Sequence, residues 1–196
     1  MNCLRLAVIS LLLAGTTAGV QAEIDEAPPK PALLEKYKQL LEKQPAEGTA
    51  LDRLWELYGK HFSTRELIAE YRKRAEADPA NAKLQIVLGL LEKKAGHPEA
   101  AAAQLQKASE LAPEEPLAWQ ALADVQLTLG RNMDAVKSLE KALTLAKSPV
   151  VKIPLYEKLG NAHSRNKDWK AATEAYEKIS ELDPDNVQTH LQLART

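Results

Sequence analysis

The residue types that hold metal ions or transfer protons are present in this sequence, but their spacing brings none of them together. The four histidines are His61, His97, His163 and His190. No two of them lie within four residues of each other, so no helix presents the His-x3-His pair typical of zinc sites. We expect each histidine to be a surface or groove residue, with His190 serving packing, and we expect no metal site.

The carboxylates are numerous but show no pattern of a catalytic pair. Glu114, Glu115 and Asp183 fall in predicted turns and first helical turns, where an acid offsets the helix dipole. Glu140 and others lie near lysine or arginine, which is typical of a solvated helix face. The sequence contains no phosphate-binding loop, no G-x-S-x-G and no H-E-x-x-H. We therefore expect no enzymatic activity, no cofactor and no small-molecule substrate.

Cysteine usage and charge exclude further classes of protein. The only cysteine is Cys3, in a segment that we expect to be removed, so thiol catalysis, haem attachment and thiolate metal sites are excluded. The formal net charge is -1 at pH 7. Nucleic-acid binding relies on basic patches, so this balance argues against nucleic acid as a partner.

The first 22 residues have the layout of a secretory signal peptide. Arg5 supplies a positive charge, residues 6–13 form an apolar run, and residues 20–22 (Val-Gln-Ala) suit a signal peptidase. We predict cleavage after Ala22 and export to the periplasm or the extracellular space. The alternative is a membrane anchor, but the apolar run falls short of the roughly 20 residues that a bilayer requires. We therefore expect membrane contact only through a partner or an uncleaved signal.

Beyond a proline-rich leader at residues 23–31, the chain is periodic. Three series of side chains each advance by 34 residues per step, except for one step of 37. A single three-residue insertion near residues 148–150 explains every longer step. The series are Tyr37, Tyr71, Leu105, Leu139 and Tyr176; Leu54, Leu88, Leu122, Leu159 and Leu193; and Ala108, Ala142 and Ile179.

Apolar residues within each period follow the i, i+3, i+4, i+7 spacing of amphipathic helices. Breaks such as Gly96-His97-Pro98 divide each period into two helices. The predicted pairs are 81–95 with 99–111, 117–129 with 133–146, and 153–164 with 169–182. We also predict a helix over residues 32–43.

These units resemble tetratricopeptide repeats (TPRs), whose 34-residue pattern begins W-x2-L-G-x2-Y. Trp119-x2-Leu122-Ala123 and Tyr156-x2-Leu159-Gly160 carry the resemblance. It implies an all-α, right-handed solenoid of antiparallel helix pairs. Close approach of the paired helices needs small residues, so we expect Gly89, Ala123 and Gly160 to meet Ala101, Ala135 and Ala172.

The repeat pattern divides the chain into five segments. A cleaved signal (1–22) and the leader (23–31) precede degenerate TPR-like helices (32–79), three TPR units (80–186) and a capping helix (187–196). The degenerate part has Trp55 where a small residue is expected and Arg74 where alanine is expected. Its helix 32–43 looks like the second helix of a unit whose first is missing. We favour the cap for the last segment; the alternative is that the chain is the front of a longer protein.

The resemblance also implies a concave groove, lined by the first helix of each unit, that holds a protein or peptide partner. Ile86 and Leu90 occupy the places where co-chaperone members grip a carboxylate with lysine and asparagine, so that clamp is missing. An amphipathic helix suits the apolar groove; alternatively, Ile86, Leu90 and Leu127 pack within the chain itself. The candidate groove residues are Lys83, Ile86, Leu90, Lys93, Lys94, Gln120, Asp124, Leu127, Thr128, Glu157, Asn161 and Arg165.

Two functional classes fit these observations. The first is a non-catalytic interaction scaffold or adaptor in the cell envelope or the secreted space. The second is a structural spacer, or the N-terminal TPR module of a larger exported protein. An enzyme is a third class, but the sequence shows no motif or pair of residues typical of catalysis.

Overall fold

The computed structural model describes residues 29–185 and 192–193. Within these ranges the chain forms nine α-helices and no strand. The helices are α1 (Pro31–Lys43), α2 (Thr49–His61), α3 (Thr64–Ala77), α4 (Ala82–Lys94), α5 (Pro98–Leu111), α6 (Pro116–Thr128), α7 (Asn132–Leu145), α8 (Pro149–Arg165) and α9 (Trp169–Leu182). The predicted signal peptide and most of the predicted capping helix lie outside the described residues.

The last six helices form three close pairs, α4 with α5, α6 with α7, and α8 with α9. Each pair is joined by a turn of three residues, which forces its two helices to run antiparallel. Helices α5 and α7 pack in turn against the first helix of the next pair. The predicted all-helical repeat solenoid is therefore confirmed, and no helix in the described ranges is long and apolar enough to cross a membrane.

The turn inside each pair closes in the same way. Gly96, Gly130 and Lys167 have φ values of 77°, 71° and 61°, which is the left-handed region that ends many helices. In each turn the next residue donates its N–H back across the helix end, as His97 does to the Glu92 carbonyl at 2.9 Å. Lys167 adopts the backbone conformation that glycine adopts in the other two turns. This conformation costs free energy in a residue that has a β-carbon.

The repeated side chains form the core that the periodicity predicts. Tyr71, Leu105, Leu139 and Tyr176 are all fully buried. The leucine series that begins at Leu54 is buried through its first four members. Its fifth member is half-buried and packs on the cluster formed by α9. One register therefore runs through the described part of the chain.

Small residues stand where the paired helices approach, but at the two glycines of this set the nearest neighbours are not the alanines that we expected. A β-carbon on Gly89 would lie 2.6 Å from Leu105 Cγ, and one on Gly160 would lie 2.5 Å from Tyr176 Cε1. The Ala101 carbonyl oxygen is the next nearest atom, 3.4 Å from such a β-carbon on Gly89. The large residue of the opposite helix fills the space that the missing side chain leaves.

Helix α8 begins four residues earlier than predicted. It has 17 residues, whereas α4 and α6 have 13 each. The three-residue insertion thus lengthens the start of α8, where Pro149 suits the first turn. Pro154 lies inside the helix and has no N–H to offer the Val150 carbonyl. Val150 is 80% exposed, so water can satisfy that carbonyl.

The N-terminal helices depart from the regular pairing. Helices α2 and α3 make few contacts, while α1 packs against both α2 and α4. Two features explain the difference: Trp55 occupies the close-approach position, and Arg74 reaches from α3 to Glu42 of α1 at 2.7 Å. The second helix of a preceding unit would pack against α2. Helix α1 also packs against α4, which belongs to the next unit.

A buried ammonium group fixes α1 on its neighbours. Lys38 Nζ lies 2.7 Å from a carboxylate oxygen of Glu70 and 3.1 Å from Glu35. Burial alone would lower the pKa of Lys38, but the hydrogen bonds that its ammonium group donates to Glu70, Tyr58 and Glu35 outweigh it and raise that pKa. The lysine stays charged, and it joins α1 to α3.

Candidate functional site

A cavity of about 730 Å³ lies on the first-helix face of the described residues. Its walls come from α6 and α8, from the start of α4, from the α1–α2 connection and from the α7–α8 connection. The apolar part of its lining is Ala46, Leu117, Ala121, Leu145, Ala146 and Val151 together with two prolines. The cavity is therefore lined by apolar side chains together with charged and polar ones, the usual composition of a binding cleft.

Three of the predicted groove residues line this cavity: Lys83, Gln120 and Asp124. Lys158 and Val151 also line it, although the sequence analysis missed them. Val151 belongs to the inserted turn of α8, whose start the periodicity could not locate. Lys158 is equivalent in register to Ala121, so the pattern alone gave no reason to single it out.

Charged side chains link the first helices of three units across the concave face. Lys93 of α4 lies 2.9 Å from Glu47 and 3.2 Å from Asp124 of α6, and Asp124 also pairs with Lys158 of α8. Burial works to lower the pKa of Lys93, but the two carboxylates outweigh it and the pKa is raised. The two lysines and the two carboxylates therefore form ion pairs with one another within the chain itself.

Ile86 and Leu90 are 1% exposed and belong to the main hydrophobic core. They offer no surface to a partner, so for these two residues the alternative of packing within the chain is correct. Leu90 borders a separate cavity of about 300 Å³, opposite Gly48 and Leu51 of the N-terminal helices. The register placed Leu90 on the concave face, but it could not show that the chain covers that face itself.

The three lysines predicted on α4 are engaged by the same N-terminal part of the chain. Lys83 Nζ donates to the Lys43 carbonyl at 2.8 Å, and Lys94 pairs with Asp52 at 2.7 Å. Together with the Lys93 pair described above, these contacts place the α1–α2 connection along the concave side of α4. The α4 part of the predicted groove is therefore occupied.

The predicted residues nearer the C-terminus stand apart from the cavity lining. Thr128 donates to the Asp124 carbonyl at 3.0 Å, and Asn161 accepts from the Tyr176 hydroxyl at 3.0 Å. Arg165 donates to the Leu127 carbonyl at 3.5 Å. Leu127 is half-buried and packs on the second core cluster, so it also serves internal packing. Glu157 is half-exposed on α8.

The described histidines and acids serve structure and do not converge. Glu92 is 2% exposed and bonds to Arg72 at 2.6 Å and to His97 Nδ1 at 2.8 Å, which ties α3 to the α4–α5 turn. His163 lies 3.9 Å from Asp168 in the equivalent turn of the last unit. In residues 29–185 and 192–193 no three histidine, cysteine or acidic side chains form a group that could hold a metal ion. His190 lies outside the described residues.

Comparison with known proteins identifies the repeats. Two models of the tetratricopeptide repeat match residues 86–149 and 153–186. The chain belongs to the tetratricopeptide repeat family, a class of stacked helical scaffolds for protein–protein interaction. No curated protein matches the chain.

Solved structures share the fold at low sequence identity. The crystal structure of MamA is 23% identical, covers 76% of this chain and 84% of its own, and has a TM-score of 0.64. MamA from Desulfovibrio magneticus RS-1 is 17% identical, covers 86% and 85%, and has a TM-score of 0.60. The first TPR of Spaghetti (RPAP3), bound to the HSP90 peptide SRMEEVD, is 22% identical, covers 58% and 88%, and has a TM-score of 0.51. At these identities the likeness concerns the fold.

Proposed function

We propose that this chain is an exported, non-catalytic adaptor that holds a segment of a partner protein in the cavity between α6 and α8. The observation that carries the proposal is the cavity itself. It measures about 730 Å³, it lies on the concave first-helix face, and apolar side chains form part of its lining. An apolar side chain of a partner segment is stabilised when it leaves water for contact with such side chains.

The related fold of Spaghetti (RPAP3) supports a peptide as the occupant, because that protein was solved with a bound HSP90 peptide. The chemistry differs here, since Ile86 and Leu90 stand in place of a carboxylate clamp and are buried. We therefore propose that contact with the apolar side chains of the cavity lining, rather than a gripped chain terminus, supplies the affinity.

Export is proposed on the sequence of residues 1–22 alone. Their charge, apolar run and closing Val-Gln-Ala are typical of a signal peptide that is cleaved after Ala22. The partner is then a protein of the periplasm or of the secreted space. N-terminal sequencing of the protein recovered from its native compartment tests this directly: a mature chain that begins at Glu23 is expected, and an intact Met1 would contradict cleavage.

Site-specific photo-crosslinking tests the proposed surface. A photo-reactive amino acid is placed at Gln120 or Val151, which line the cavity, and at Glu110 or Glu140, which are exposed on the second helices α5 and α7. We expect one partner to be captured in envelope extract from the first two positions and from neither control. Capture from the controls alone would contradict the surface. No capture at any position would favour the structural spacer.

A further inference from the structure

Helix α1 buries one apolar face and leaves a second one in water. Leu34 and Leu41 are buried in the main hydrophobic core. Leu33 and Leu40, in contrast, are 40% and 47% exposed, and Tyr37 between them is half-buried. These three residues follow the i, i+4, i+7 spacing, so they form one stripe along the helix. We call this stripe the outer face of α1.

In α5, α7 and α9 the three positions equivalent to the outer face are at most 2% exposed. The equivalent residues are Ala101, Leu105 and Ala108; Ala135, Leu139 and Ala142; and Ala172, Tyr176 and Ile179. They are buried because the first helix of the same unit packs there. A β-carbon on Gly89 would meet Leu105, and one on Gly160 would meet Tyr176. Each of these glycines directly follows the repeated leucine of its first helix. The outer face of α1 therefore lacks a first helix that carries leucine followed by a small residue.

The repeat register places such a pair of residues at the other end of the helix series. Leu193-Ala194 stands one period after Leu159-Gly160, whereas Val20-Gln21, one period before Leu54, has no small residue in second place. Leu193 is helical and packs on the cluster formed by α9, as a first helix packs on the second helix before it. Helix α1 packs against α2 and α4 instead. The two complementary surfaces of one chain thus lie at opposite ends of the stack, and only a second copy can bring them together.

We propose that residues 187–196 of a second copy of this chain pack as a first helix on the outer face of α1, so that copies join head to tail. The contact repeats the helix pairing found inside each unit, with Ala194 of the second copy opposite Tyr37. It also removes the exposed surface of Leu33 and Leu40 from water. Because the two surfaces differ, the contact is heterologous and can repeat from copy to copy.

A contact between two α1 helices fits the outer face less well. Such a contact would set Leu33, Tyr37 and Leu40 against the same large side chains of the second copy. The close pairs of this fold instead place a small residue opposite a large one, as Gly160 lies opposite Tyr176. The proposed contact also stands apart from the cavity between α6 and α8, whose lining includes no residue of the outer face.

Sedimentation velocity of the mature chain over a range of concentrations tests the head-to-tail contact. The variant Leu33→Lys, Leu40→Lys blocks the outer face of α1, and Ala194→Arg blocks the complementary surface. The control variant Leu111→Lys, Met133→Lys adds the same charges at two other exposed apolar residues, which are 41% and 60% exposed. The replaced leucines and methionine are all exposed, so circular dichroism should show an unchanged helix content for these variants.

We expect wild type and the control to form species larger than a dimer as the concentration rises. Each blocking variant alone should associate about tenfold or more less tightly, because the contact would enclose a charged side chain. An equimolar mixture of the two blocking variants should form a dimer and nothing larger, since each variant keeps the surface that the other lacks.

A wild type that stays monomeric at every concentration would overturn the proposal, as would a mixture of the blocking variants that stays monomeric. Association of the Ala194→Arg variant at wild-type strength would also overturn it and would indicate a contact between two α1 helices. Loss of association in the control would contradict the assignment to the outer face. None of these outcomes depends on partner capture at Gln120 and Val151.

Discussion

The ammonium group of Lys93 on α4 lies 3.2 Å from the carboxylate of Asp124 on α6, so the first helices of neighbouring units are joined by charge on the concave face. Asp124 also accepts from Lys158 on α8. The Asp124 carboxylate thus connects the first helices of three consecutive units. It also lines the cavity that we propose for the partner.

Replacing this shared carboxylate should weaken the stacking of the units. We expect Asp124→Ala to lower the free energy of unfolding by about 1–2 kcal/mol, because two partly buried lysines lose a charged acceptor. Chemical denaturation with urea measures the change. The exposed pair Lys178–Glu181 provides the control, and Glu181→Ala should cost less than about 0.5 kcal/mol. Equal losses for the two variants would contradict a special role for Asp124.

The close approach of α8 and α9 depends on the missing side chain of Gly160. A β-carbon there would lie 2.5 Å from the Tyr176 ring, so we expect Gly160→Ala to destabilise the chain by roughly 1–3 kcal/mol. Gly59 in α2 is a matched control, since its nearest such contact is 3.8 Å from Thr64 Cγ2. Gly59→Ala should stabilise by about 0.5–1 kcal/mol through helix propensity. Thermal unfolding shows whether each variant is stabilised or destabilised. A Gly160→Ala variant as stable as wild type would disprove the close packing of Gly160 against Tyr176.

The turn between α8 and α9 carries strain that glycine would remove. Lys167 has a φ of 61°, and the equivalent residues in the two preceding units are Gly96 and Gly130. Lys167→Gly should raise the free energy of unfolding by about 1 kcal/mol, and Gly130→Ala should lower it by a similar amount. Differential scanning calorimetry can measure both, and opposite signs are the expected result. A destabilised Lys167→Gly variant would show that the lysine side chain contributes more than the backbone geometry costs.

The buried ammonium group of Lys38 predicts a loss of stability at alkaline pH. Its pKa is raised in the folded chain above the ordinary value of 10.5, so the folded state holds the proton more tightly than the unfolded state does. The stabilisation is fully present below pH 10.5 and decreases as pH rises beyond it, when the unfolded chain alone releases the proton. We expect urea midpoints of wild type to fall between pH 10 and 12 more steeply than those of Lys38→Met. Parallel pH profiles would contradict the assignment.

Much of the fold could be predicted because the repeats impose one register. Leu88, Leu122 and Leu159 recur at spacings that only a repeated helix pair produces, and all three are buried. The start of α8 could not be located in the same way. Its extra turn lies in the insertion, where no repeat supplies a reference, and the apolar spacing begins again only at Ile153.

The candidate site was predicted only in part, because register assigns a face and does not say what covers it. Gln120 and Asp124 line the open cavity as their positions suggested. Leu90 has the equivalent position to Asp124 in the preceding unit, yet it is buried. Its burial depends on the path of the α1–α2 connection over α4, which is a long-range contact that no local pattern encodes.

Hydrogen–deuterium exchange on the mature chain, with and without the partner that Gln120 captures, is the most direct test of the concave-face proposal. We expect the partner to slow exchange in α6 and α8, and to leave the exposed faces of α5 and α7 unchanged. Slower exchange confined to the second helices, with α6 and α8 unaffected, would contradict the account.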